Sequence, residues 1–404
     1  MVRPRIFISH CAADDPKLLW DVHDAFCAAG FDVLVDAARL QPGAKWRDEI
    51  YIWVARAHGA VVLLSTSATT SDWVKFELAA LASRRLLDGV ILVPVLVPPV
   101  TDAVLREKQF DPYDLASLQA ATVDSAAANA ITRVVAVFQA IANAFRDTPL
   151  DRLEMCLARE LPGEPDILER TAQVLNAGTP NDAINATFIA SALFHAPAEK
   201  LPDALWELAG GAGVCRSRLE KVLQIVTPFW IEPAAIVEIA REAASPTAPH
   251  RILLLNTTNA QIGAMYVRRA ALEYPMRWSL ITVTADAGDD LIGSVRTDIR
   301  EWFRAKDLML ASASDREIDS SIRNNATPMI IVVPSWMKIE RIAELRDLYA
   351  RCIFISLAGE DLPDESTLSA LNAIVLEPRL DSLREHTIKQ KYGECSVIVN
   401  NTAE

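Results

Sequence analysis

A carboxylate on an apolar helix face is the feature of this sequence most able to do chemistry. In "SDWVKFELAAL", Ser71 to Leu81, Ser71 or Asp72 can cap a helix start, and Val74, Leu78 and Leu81 recur at the spacing of one buried stripe. Glu77 interrupts that stripe. Its neighbours three and four positions away are Trp73, Val74, Ala80 and Leu81, all apolar, and Lys75 sits two positions off, facing elsewhere. In an apolar surround a carboxylate can stabilise positive charge that develops on a reacting group. An indole one turn away can hold a cationic ring by stacking and cation–π attraction. The plain alternative is a solvated glutamate beside a packing tryptophan, and W-x-x-x-E alone does not decide between them.

The chain has 404 residues, 51% hydrophobic and 23% charged, the composition of a soluble globular protein with room for two or three cores. No stretch reaches the ~18 apolar residues that span a bilayer, and the first residues lack a signal-peptide layout, so a cytoplasmic protein without a membrane partner is expected. A net charge of −13 argues against a surface built to neutralise phosphates, and nucleic acid is not the favoured partner. Six scattered cysteines form no C-x-x-C pair and the histidines show no H-E-x-x-H spacing, so neither a disulfide framework nor a metal site is indicated.

Three segments follow from hydrophobic periodicity. Residues 1–146 alternate strand and helix: "RIFIS", "FDVLVD", "GAVVLLS" and "GVILVPVLV" read as strands, with helices between them, the first ending at Gly30. Strands this uniformly apolar imply a parallel sheet covered on both faces. Residues 162–245 read as a helical segment, from "DILERTAQVLNAG" to "SRLEKVLQIV", bounded by the punctuating stretches "LPGEPD" and "ASPTAPH". Residues 250–404 return to alternation, with strands "RILLLNTT", "WSLITVTA", "PMIIVVPS" and "CIFISLAG", a possible edge strand "NAIVLEP" and a late helix "DSLREHTIKQK". The fold class is α/β: a parallel-sheet N-terminal domain, a helical middle segment and a C-terminal Rossmann-like doubly wound domain.

The order of signals in the first segment resembles a Toll/interleukin-1 receptor (TIR) domain of the flavodoxin-like kind. The residues that carry the resemblance are "FISH" ending the first strand with Asp14 and Asp15 after it, Gly30, Asp36, "LQPGAKW", Ile50, "VVLLS" and "SDWVKFE". It is strongest for those TIR domains, bacterial ones especially, that cleave NAD+ between nicotinamide and ribose. In that subset W-x-x-x-E carries the catalytic glutamate, which the resemblance places at Glu77; Trp73, one turn before it, is placed to hold the cationic nicotinamide ring by stacking and cation–π attraction. The chemistry agrees, because cleavage passes through an oxocarbenium-like state that a carboxylate beside the ribose can stabilise.

The resemblance also suggests substrate contact from Ser9 and His10, at the carboxyl edge where doubly wound sheets place ligands. Some relatives carry an arginine just after that histidine, where this chain has Cys11, Ala12 and Ala13. Lys45 and Trp46, at the end of the long loop, match positions used for substrate contact or self-association, and Trp46 packing on its own helix is the equal alternative. Asp36 reads as a loop-ordering residue. With no G-x-G-x-x-G after the first strand, NAD+ is expected as a substrate and no cofactor is expected.

"RILLLNTTNAQIGAMYVRRAALEY" has the strand, loop and helix layout of a P-loop but gives Ala264 and Met265 where lysine and a hydroxyl residue belong. The third segment is similar to inactive STAND-type domains beside bacterial effectors, with a nucleotide-sensing SAVED-type module as competitor. The expected function is an NAD+ glycohydrolase of prokaryotic immunity, activated by TIR self-association, with a filament as one form of that assembly, in response to an unknown trigger sensed by the C-terminal part. Alternatives are a non-enzymatic TIR scaffold and a cyclic-nucleotide-sensing effector. Linear and cyclised products stay open.

Overall fold

The computed structural model describes residues 3–14, 16–35, 46–123, 127–142, 145–178, 183–244, 251–283, 291–306, 313–324 and 327–403. The chain divides into two compact units, Met1–Met155 and Cys156–Glu404.

In the first unit the elements run β1 (Arg5–Ser9), α1 (Pro16–Ala28), β2 (Asp32–Leu34), α2 (Trp46–Arg56), β3 (Gly59–Leu64), α3 (Thr66–Thr70), α4 (Asp72–Asp88) and β4 (Ile91–Leu96). Three short 3-10 turns between Asp102 and Ser117 lead to β5 (Ala121–Thr122), α5 (Ala127–Ile141) and α6 (Pro149–Glu160), whose residues from Cys156 on belong to the second unit. The strands pair in parallel in the order β2-β1-β3-β4-β5, the flavodoxin-like order. Alternation along each strand divides the core between the two faces. Phe7, Ala60, Val62 and Leu64 pack with Ile50 and Val54 of α2 and Val74, Leu78 and Leu81 of α4. Ile6, Ile8, Val61 and Leu63 pack with Val22 and Phe26 of α1 and Val134 and Phe138 of α5. Both faces are covered, so every residue of β3 is buried, as its uniform apolarity requires. The chain leaves β1 toward β2 on one side and returns to β3 on the other. Their carboxyl ends therefore form a topological switch point, where such sheets open a crevice.

At the opposite edge the start of α6 is fastened to the sheet. Thr148 and Asp151 form a reciprocal cap: Thr148 N–H donates to Asp151 Oδ2 at 3.0 Å and Asp151 N–H donates to Thr148 Oγ1 at 3.2 Å. The same carboxylate pairs with Arg5 of β1, and Glu154 one turn on pairs with Arg56 of α2. Burial pushes the Asp151 carboxyl up, but Arg5 and the Thr148 bonds outweigh it and hold the group below its usual range. For Glu154 burial wins over the attraction of Arg56 and its carboxyl is raised.

The second unit opens with helices α7 (Pro165–Leu175), α8 (Ala186–Phe194), α9 (Leu201–Ala209), α10 (Arg216–Val226) and α11 (Val237–Ala244). Then come β6 (Ile252–Leu255), α12 (Ala260–Ala271), β7 (Ser279–Thr282), α13 (Leu291–Lys306), α14 (Asp315–Asn324) and β8 (Met329–Val333). The unit closes with α15 (Ile339–Leu348), β9 (Cys352–Leu357), α16 (Glu365–Ala370), β10 (Ala373–Val375) and α17 (Ser382–Asn401). Its five strands are parallel in the order β10-β6-β9-β8-β7, with "NAIVLEP" supplying the edge strand β10. The α/β class holds in both units. The helical segment and the second sheet share one compact unit, because α17 packs on α9 and α10. Among the described residues no single helix is long and apolar enough to cross a membrane.

Two outcomes follow for the first unit. A Cβ at Gly59, the first residue of β3, meets Phe138 Cε1 at 2.3 Å, and Phe138 is 0% exposed and held edge-on by Phe26. Gly59→Ala is expected to cost about 1–3 kcal/mol by overpacking, read as a lower midpoint in the denaturant transition of the unit. Asp151→Asn is expected to cost on the order of 1.5–3 kcal/mol at pH 7, the range for hydrogen bonds to a charged group. Because the folded-state value of Asp151 is depressed, its contribution is complete above pH ~4 and is lost as pH falls through that depressed value. The difference between wild type and Asp151→Asn in chemical denaturation should accordingly shrink below pH ~4.

Candidate functional site

Three elements meet at the carboxyl edge of the first sheet: the end of β1, the turn after β3 and the first two turns of α4. Parallel pairing sets Ser9 opposite Val62, which fixes the end of β1 against β3. Ser65, just past β3, caps α3 by accepting from Ala68 N–H at 2.9 Å, and its hydroxyl donates to Asp14 Oδ2 at 2.6 Å. That bond ties the loop after β1 to the loop after β3. A second turn forms as Asp14 N–H donates to Cys11 O at 3.0 Å, while Cys11 packs on the apolar layer.

Helix α4 starts as its sequence predicts. Ser71 accepts from Val74 N–H at 3.3 Å, Asp72 lies in the first turn where the helix dipole favours negative charge, and Gly89 ends the helix at φ 69°. Val74, Leu78 and Leu81 are all 0% exposed, as the stripe requires. Lys75 turns away and pairs with Asp72 at 3.9 Å.

Glu77 is 2% exposed, and Ser9, itself 0% exposed, donates its hydroxyl hydrogen bond to Glu77 Oε2. This bond joins the helix to the sheet across 68 residues of chain. The structure thus directs the Ser9 hydroxyl onto the glutamate. Trp73 is half-buried and stacked on Phe76, with ring centroids 4.9 Å apart and planes inclined by 26°. Both rings rest on the apolar layer that also holds Val74 and Leu78. His10 follows Ser9, half-buried at the same edge.

The structure therefore brings Ser9, Glu77, Trp73 and His10 to one edge of one sheet. Asp36 and Lys45 lie outside the described residues, and Trp46 begins α2 with its side chain outside them. Two participants were not assigned roles from the sequence. Phe76 carried a usable signal, since residues three apart share a helix face and Trp73–Phe76 is such a pair. The Ser65–Asp14 link joins residues 51 apart and has no local signature.

Chemically, the edge offers a buried carboxylate with a fixed hydroxyl partner and a flat aromatic pair beside it. In this low-dielectric setting a carboxylate interacts strongly with a cation placed against it. A cavity of about 520 Å³ lies at the opposite, amino edge, between the starts of β3 and β4 and the cap of α6. Its buried arginine, Arg84, is engaged by Val54 O at 2.6 Å and Ala57 O at 3.4 Å, and Arg152 by Asp147 O at 2.5 Å. That cavity holds none of the residues of the carboxyl edge.

The corresponding edge of the second sheet is occupied by the chain itself. Asn256 bonds both ways with the Leu380 backbone, at 2.7 and 2.9 Å, and Thr257 donates to Glu385 Oε1 at 2.6 Å. Asn259 caps α12, and Ala264 and Met265, at the positions of a phosphate-binding lysine and hydroxyl, are buried.

Residues 6–132 match the family model described as TIR domain. A curated relative, the 2' cyclic ADP-D-ribose synthase BtTIR of Bacteroides thetaiotaomicron, is 28% identical over 100 residues, covering 25% of this chain and 35% of that protein. The chain thus spans about a third of the length of that relative. Among solved structures, the TIR domains of the activated Roq1 resistosome recognising the pathogen effector XopQ are similar at 16% identity and a TM-score of 0.30, over 33% of this chain and 99% of that one. The N-terminal unit of this chain carries a TIR domain.

Proposed function

We propose that the chain is an NAD+ glycohydrolase in which Glu77 is the catalytic carboxylate and the second unit regulates it. The observation that carries this reading is the placement of Glu77: buried at the switch point, oriented by a hydroxyl, with the Trp73–Phe76 pair alongside. The similarity to a cyclic ADP-ribose synthase supports the same reading, because making such a product from NAD+ also severs the nicotinamide–ribose bond.

In the proposed reaction the bond between ribose C1′ and the nicotinamide nitrogen breaks, and its electron pair leaves with nicotinamide. Positive charge spreads over C1′ and the ring oxygen, where the Glu77 carboxylate stabilises it. Trp73 holds the cationic nicotinamide ring before cleavage and loses that cation–π attraction as the ring becomes neutral, which favours departure. Water then attacks C1′ and releases a proton, giving ADP-ribose; attack by a nucleophilic atom of the same ADP-ribose gives a cyclic product. His10 is proposed to contact the substrate from the β1 loop and Lys45 and Trp46 from the end of the long loop, with Asp36 at that loop's start ordering it. Self-association of TIR domains, driven by a trigger sensed in the second unit, is proposed to open access to the covered Glu77. A role in prokaryotic immunity within the cytoplasm fits an enzyme that depletes NAD+ on demand.

One observation favours a second reading. A glutamate 2% exposed and bonded to a buried serine also suits a scaffold in which the pair is purely architectural. Nicotinamide release from NAD+ by the assembled protein separates the two. Under the enzymatic reading Glu77→Gln is expected to lower kcat by about 10²–10³-fold, the scale for deleting one electrostatic stabiliser, with chromatography identifying the product as linear or cyclic. Undiminished release by Glu77→Gln selects the scaffold.

A further inference from the structure

Ser9 ends a strand whose alternate residue, Phe7, faces the apolar layer beneath α4, and the strand period sends Ser9 to the same side. A hydroxyl on that side is costly to bury unless it is bonded, and the bond it makes is to Glu77. We propose that Ser9 is a positioning residue for Glu77: it fixes the carboxylate's orientation and does not itself touch the substrate. The inference rests on the NAD+-cleaving reading of Glu77.

Three features support the role. The Ser9 main chain is held in β1, which pairs with β2 on one side and with β3 on the other, so its hydroxyl occupies a fixed place. Glutamate has three rotatable side-chain bonds, and an anchor on Oε2 selects among their wells. Ser9 is also fully covered, so a substrate meeting Glu77 at the edge finds the serine behind the carboxylate.

The test uses the full chain, NAD+ as substrate, nicotinamide release as readout, and a melting curve for each variant so that rates refer to folded protein. Ser9→Ala, and Ser9→Cys as a near-isosteric variant with a weak donor, are expected to lose kcat by about 10- to 100-fold, the scale of a misplaced catalytic group, with KM within about twofold of wild type. Ser9→Thr, which restores a hydroxyl, is expected to recover most of that loss. A raised KM at unchanged kcat in Ser9→Ala makes Ser9 a substrate contact and overturns the positioning role. So do wild-type kinetics in Ser9→Ala, or a loss in kcat that Ser9→Thr fails to recover in folded protein. Glu77→Gln separates the two ideas. Wild-type release by that variant rejects the reading of Glu77 itself, whereas a silent Glu77→Gln beside a normal Ser9→Ala rejects the positioning role alone.

Discussion

A carboxylate taken out of water sets the terms for the carboxyl edge of the first sheet. Glu77 lies in a layer otherwise made of Val74, Leu78, Leu64 and their neighbours, where an unpaired charge would cost several kcal/mol. Part of that cost is met by the Ser9 hydroxyl of β1, which the parallel register with β3 holds in place. Removing either partner leaves the other buried without that bond, so the pair is a constraint on the fold as much as a feature of a site. The surrounding devices serve it: the Ser71 cap sets where α4 begins, and the Ser65–Asp14 bond keeps the two flanking loops together.

The two ends of the sheet divide the work of the unit. The amino edge is held by charge, with Arg5 and Arg56 fixing the first turns of α6. At the carboxyl edge serine hydroxyls meet carboxylates, Ser9 bonding Glu77 and Ser65 bonding Asp14. Asp151 and Glu154 make the contrast within one helix. Each faces an arginine, yet one is held below the usual carboxylate range and the other lies above it, because the Asp151 carboxylate also accepts from Thr148 N–H.

Legibility in the sequence followed the range of the forces involved. The α4 stripe, its cap and the apolar strands are written in local periodicity, and the parallel α/β class with them. Glu77 stood out because it broke such a period. Ser9 was expected at the same edge as a substrate contact, but its bond to Glu77 was not legible, because 68 residues separate the two and no local pattern joins them. The same limit hid α14: "DREIDSSIRN" buries only Ile318 and Ile322 among its described side chains and docks on α13 through Arg300 with Asp315 and Asp319, so its signal is ionic more than hydrophobic. Strand β5 contributes two paired residues, Ala121 and Thr122, too short for alternation to register.

Helix α17 carries a mechanical consequence for the second unit. Just before its start, Leu380 is fastened to Asn256 at the sheet's carboxyl edge, and Glu385 in its first turn accepts from Thr257. Just after its end, the carbonyl of Ala403 accepts from Arg216 N–H at the start of α10 at 2.9 Å. Twenty helical residues lie between, about 30 Å of stiff rod. A strut pinned at both ends ties the loop after β6 to the start of α10, so the helical segment and the sheet are braced along one axis.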